Sequence, residues 1–89
     1  MANPIIIYGP AACGKTYNAE RLAAFFGCSA IVDEAFRLGM ENPSLSPSTL
    51  YLTSSIRVFW FLRNYSIKAS QFELMSFSFA MKLMERYDG

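Results

Sequence analysis

The feature that most constrains this chain is a change of period within its first 27 residues. "PIIIY", residues 4–8, is a short β-branched run that ends at Gly9 and reads as a buried strand. From Lys15 onward the spacing switches. Ala19, Leu22, Ala23 and Phe26 fall at i, i+3, i+4 and i+7, which is one face of a helix, and Gly27 stands where that helix should stop. A strand leading into a helix is a βα unit, and strands joined through helices pair in parallel.

The alternation continues along the chain. "AIVDE" reads as a second buried strand, from Ala30 to Asp33. "EAFRLG" adds a single helical turn before Gly39. "ENPSLSPS", with two prolines and three serines, is a loop. "TLYLT" is a third strand. Residues 54–66, "SSIRVFWFLRNYS", carry two patterns: Ile56, Phe59, Trp60 and Arg63 suit one helix face, while the continuous run Val58 to Leu62 suits a buried strand. The helix is preferred, because a parallel sheet needs a crossover here. "FELMSF", residues 72–77, then becomes a fourth strand, with Ser78 capping a last helix through Tyr87. The alternative is one long helix from Ser70, with Ser70 and Glu73 as a capping box. The expected fold is α/β: a small parallel sheet of three to four strands with helices on both faces, in one domain over residues 1–89. Ligands bind such sheets beyond the carboxyl ends of the strands. Gly9, Asp33 and Thr53 all fall at strand ends, so the candidate chemistry converges on one edge.

The motif at the first of those ends is "GPAACGKT", residues 9–16. It meets the pattern G-x-x-x-x-G-K-[ST] at Gly9, Gly14, Lys15 and Thr16. The glycines allow a tight turn and a close approach of backbone to ligand. The N–H groups of Ala11, Ala12, Cys13, Gly14, Lys15 and Thr16 then point inward as an anion nest, and the helix behind Tyr17 adds its positive end. Lys15 reaches the β- and γ-phosphates, and the Thr16 hydroxyl ligates Mg²⁺. The bland alternative is a chance match in a turn before a helix. From average composition, a chain of this length shows the pattern by accident on the order of a few times in a thousand.

On these residues, "IIIYGPAACGKTYNAERLAAFFGC" resembles the opening of the P-loop nucleoside triphosphatases. "GCSAIVDEA" is similar to small-molecule kinases of the shikimate and adenylate kinase type, whose second strand ends in an acidic residue. The chain also resembles short P-loop proteins carried by bacteriophages, trimmed cores of the same superfamily. The resemblance covers residues 4 to about 53, and only the phosphate loop is specific within it. It implies ATP or GTP as ligand with Mg²⁺ as cofactor, with Gly9, Ala11, Ala12, Cys13, Gly14, Lys15, Thr16 and Tyr17 around the nucleotide. It also implies Thr16 and Asp33 at the metal, Lys15 as a catalytic residue, and Glu34 polarising the attacking water. Asp33 has a structural alternative as a helix cap. Two departures stand out: there is no arginine-rich lid segment, and nothing after residue 54 reads as a base-recognition motif.

Other residues carry two readings each. Thr53 and Ser54 end the third strand, where such ATPases place a polar sensor; capping of the next helix is the favoured alternative. Cys13 lies in a field that lowers a thiol pKa, but reads as a small residue pointing away from the phosphate. Arg57 and Arg63 suit solvated ends of an apolar element better than arginine fingers for a neighbouring subunit. Phe59, Trp60 and Phe61 read as core, with a partner or self-association surface as the alternative.

Composition excludes several classes. The 89 residues are 53% hydrophobic and only 17% charged, which argues against disorder. Net charge is +1 with no basic run, so no nucleic-acid footprint is visible. The longest apolar run, "VFWFL", falls far short of the roughly 20 residues of a membrane span. The opening residues lack the basic region of a signal peptide. Cys13 and Cys28, with no histidine, make neither a zinc pattern nor a disulfide framework. The expected location is a cytoplasm, that of a bacterial host if the gene is a phage's. The leading expectation is a nucleoside triphosphate-binding protein with slow or partner-dependent hydrolysis. Its rival is a phage accessory or anti-defence protein that binds a host protein and keeps the loop as scaffold. A small-metabolite kinase stands third.

Overall fold

A computed structural model of the chain describes residues 3–10, 17–33, 35, 45–64 and 72–88. Among them the elements run β1 (Ile5–Tyr8), α1 (Ala19–Phe26), β2 (Ala30–Val32), β3 (Thr49–Thr53), α2 (Ser55–Asn64), β4 (Glu73–Ser76) and α3 (Phe77–Asp88), with a helix between β1 and β2 and another between β3 and β4. The strands form one four-stranded sheet in the order β2-β3-β1-β4, and every pairing is parallel. The result is a small α/β domain, with three helices among the described residues.

The order explains the composition of the two central strands. β1 and β3 each have a neighbour on both sides and a helix layer on both faces. Their runs Ile-Ile-Ile and Leu-Tyr-Leu are therefore apolar without alternation, and Thr49–Thr53 is buried throughout. Ile5, Ile7, Leu50 and Leu52 pack on one face against Ala19, Leu22 and Ala23 of α1 and Ala80 and Met84 of α3. Ile6 and Tyr51 pack on the other against Val58 and Phe61 of α2, with Ala35 and Phe72. Fully burying one such large side chain contributes roughly 1.5–3 kcal/mol.

Helix placement follows from the order too. The connection through α1 runs from β1 outward to β2, and the connection through α2 runs the opposite way, from β3 to β4. Two crossovers of the same hand running in opposite directions must lie on opposite faces, and α1 and α2 do. α1 ends as its glycine suggests. Gly27 takes φ 72, its N–H reaches the Ala24 carbonyl at 3.3 Å, and the Cys28 N–H reaches Ala23 at 2.8 Å. This is the pair of bonds that closes a helix on a left-handed residue.

Several expectations are corrected. The second strand stops at Val32 and is not buried: Ile31 and Val32 are 38% and 40% exposed. Among the described residues β2 is an edge strand, paired with β3 alone, and an apolar edge strand has the composition of a buried one. Residues 55–64 form the helix rather than the strand, but with a different face inward. Val58 and Phe61 are fully buried, while Ile56 and Phe59 are 74% and 61% exposed. Phe59–Phe61 is thus split: Phe59 faces out, Trp60 is half-buried and Phe61 is core. β4 pairs with β1 over Glu73–Ser76, so one long helix from Ser70 does not form. The cap of α3 is Ser76, whose Oγ accepts the Phe79 N–H at 3.1 Å, and not Ser78. The single turn expected in "EAFRLG" and the first half of the following loop lie outside the described residues, apart from Ala35.

Candidate functional site

β1 and β3 are adjacent, yet their outgoing connections leave toward opposite edges of the sheet. This is a topological switch point, the place where open α/β sheets bind ligands beyond the carboxyl ends of their strands. The two strand ends are tied there: the buried Gly9 donates its N–H to the Thr53 carbonyl at 3.2 Å. Because α1 joins two parallel strands, it runs back against them. Its N-terminus, with Tyr17 and Asn18, therefore comes to this same edge. Asn18 is buried, accepts the Leu22 N–H on its carbonyl at 2.9 Å, and lies 3.4 Å from Arg21 Nη1 through its Oδ1. Tyr17 is 89% exposed.

The candidate residues divide by position. Gly9 lies directly after β1 and Tyr17 two residues before α1. Ala11, Ala12, Cys13, Gly14, Lys15 and Thr16, between them, lie outside the described residues, as does Glu34. Asp33 follows β2 at the carboxyl edge and is exposed. β3 stands between β2 and β1, so Asp33 begins about two strand spacings, ~10 Å, from the end of β1. Among the described residues no group of three His, Cys, Asp or Glu comes together.

The polar pair at the end of β3 is engaged in holding the fold. Thr53 is 2% exposed, and its Oγ1 donates to the Ala35 carbonyl at 2.7 Å. The Ala35 N–H in turn donates to the Leu52 carbonyl at 2.8 Å. These bonds fasten the chain just beyond Asp33 to the end of β3. Ser54 is the cap of α2: its Oγ accepts the Arg57 N–H at 3.2 Å, and its carbonyl accepts the Val58 N–H at 3.0 Å. The tether from Thr53 has no counterpart in either role read from the sequence.

The two arginines separate. Arg57 is in the first turn of α2, at the carboxyl edge, and is half-buried. Arg63 is in the last turn, exposed and nearer the opposite edge. Cys28 follows the far end of α1, half-buried, and burial raises its thiol pKa above the ordinary value.

One feature of the edge escaped the sequence reading. Tyr8, the last residue of β1, has its ring 6.3 Å from that of Phe59, tilted by 50°. The signal was present in the position of Tyr8 directly before Gly9, but its partner was assigned to the inward face of the helix. No helix of the described residues is long and apolar enough to cross a membrane. No family model, no curated protein and no solved structure matches the chain.

Proposed function

We propose that this chain is a trimmed P-loop core that binds Mg·ATP or Mg·GTP at the carboxyl edge of its sheet. The observation that carries the reading is the Gly9–Thr16 pattern, bounded by β1 before it and α1 after it, at the switch point between β1 and β3. Lys15 contacts the β- and γ-phosphates, and the loop N–H groups from Ala11 to Thr16 cradle them. Mg²⁺ favours oxygen donors and keeps several waters. The Thr16 hydroxyl and the Asp33 carboxylate suit it in kind, and the offset of Asp33 on the outer strand suits contact through water. The metal neutralises phosphate charge when bound. Glu34 orients the attacking water. Hydrolysis also needs a charge clamp beyond the loop, so turnover in one copy is slow, and a partner or a second subunit accelerates it.

Calorimetric titration with ATP, GTP and their diphosphates, with and without Mg²⁺, tests this. The expected affinity is micromolar, roughly 7–8 kcal/mol, and Lys15→Ala abolishes it. Unchanged affinity in that variant would sink the assignment. Asp33→Asn weakens the Mg²⁺-dependent part of binding, whereas Glu34→Gln leaves binding alone and lowers turnover, because a water-orienter acts in the transition state. The exposed Ile56 and Phe59 of α2 support a second reading, a protein-binding module that keeps the loop as scaffold. Full cellular activity in all three variants would favour it.

A further inference from the structure

We propose that Tyr8 and Phe59 form the seat for the base of the bound nucleotide. The proposal rests on the nucleotide reading above and extends it to the part of the ligand that the phosphate loop does not hold.

The seat is built from both sides of the switch point. Tyr8 is the last residue of β1, and its half-buried ring packs against the cluster that includes Ile6, Tyr51, Val58 and Phe61. Phe59 comes from the N-terminal half of α2, the end nearest the carboxyl edge, and leans on the Tyr8 ring at 6.3 Å. Tyr8 is thus held from behind, while Phe59 presents its ring to solvent at 61% exposure. Ile56, one turn earlier on the same side of the helix and 74% exposed, extends the apolar surface toward the edge.

Place favours a base as the occupant. Gly9 follows Tyr8 directly, so the phosphate loop opens beside the ring, and a ligand anchored by its phosphates has its base tethered close by. An aromatic platform also tolerates any base, since every base has a π-face. The seat therefore separates nucleotide from bare phosphate chain but discriminates little between adenine and guanine.

The test compares Mg·ATP, Mg·GTP and Mg·tripolyphosphate on the full chain, by calorimetry, for the wild type, Phe59→Ala and Phe59→Trp. Phe59→Ala should weaken both nucleotides about tenfold and leave tripolyphosphate unchanged. Phe59→Trp should keep nucleotide affinity, because it keeps the ring. An unchanged ratio of nucleotide to tripolyphosphate affinity in Phe59→Ala overturns the seat while leaving the phosphate loop standing. No binding of any of the three ligands to the wild type overturns both. Sedimentation of the same proteins covers the rival occupant: a wild-type dimer that Phe59→Ala splits, with nucleotide affinity intact, assigns the surface to a second copy and overturns the seat.

Discussion

Thr53 keeps its side chain almost wholly inside the molecule, and its hydroxyl proton goes to a carbonyl 18 residues away. Replacing it with valine preserves the shape and removes the donor, leaving the Ala35 carbonyl without that bond. A buried carbonyl that loses its partner costs about 1–3 kcal/mol. For a domain of this size each kcal/mol lowers Tm by roughly 4–8 °C. Thr53→Val should therefore melt distinctly earlier, with nucleotide affinity unchanged once the protein is folded. Thermal unfolding and calorimetry on the same sample check it. Weaker binding at unchanged Tm would return Thr53 to a sensor role. The strand-end position of Thr53 was legible because "TLYLT" has the length and residue types of a strand. Its partner was not, because the chain between Ala35 and Thr53 carries no periodic signal that fixes which carbonyl returns. Gly27 is the opposite case: a glycine at the end of a 3.6 period has few uses other than the left-handed cap it makes.

At the scale of elements, the need for a crossover between parallel strands chose the helix of residues 55–64, where periodicity fitted helix and strand alike, and neither fixed its inner face. α2 carries apolar residues on more than one side, so Ile56-Phe59-Trp60 and Val58-Phe61-Leu62 are both plausible inner stripes. The sheet decides, by where Ile6 and Tyr51 present their side chains, and it takes Val58 and Phe61. The two stripes differ sharply in energy, which makes the assignment measurable. Phe61→Ala should cost about 3–5 kcal/mol, a large share of the 5–15 kcal/mol a domain of ordinary stability has in total. Phe59→Ala should stay within about ±0.5 kcal/mol. Urea unfolding of the two variants separates them, and equal losses would put Phe59 back in the core. β2 teaches the same lesson. "AIV" could fill a central or an edge position, and its three residues do not tell which strands flank it. That information lies in the directions of the crossovers, which no local pattern encodes.

At the scale of the whole molecule, the alternation of strand and helix read from the sequence was enough to expect a parallel sheet with helices on both faces, and the sheet has both. The order β2-β3-β1-β4 adds that β1 and β3, tied at Gly9 and Thr53, form the switch point of the sheet. A chain of 89 residues with a radius of gyration of 12.4 Å has a thin core on each side of its sheet, and small domains bury a smaller share of their surface. Any ligand that bridges β1, α1 and β3 then adds visibly to stability, because it binds the folded state alone. At a hundred times its dissociation constant such a ligand contributes about 2.7 kcal/mol, which at 4–8 °C per kcal/mol raises Tm by roughly 10–20 °C. Mg·ATP or Mg·GTP should produce that shift, and removing Mg²⁺ with a chelator should take back much of it. Lys15→Ala should melt like the ligand-free wild type whether or not nucleotide is added. Asp33→Asn should gain less from Mg·ATP than the wild type does, each measured against its own ligand-free Tm. A wild-type Tm that ignores saturating nucleotide would mean that the folded state holds none, and the Gly9–Thr16 pattern would then be a turn before a helix.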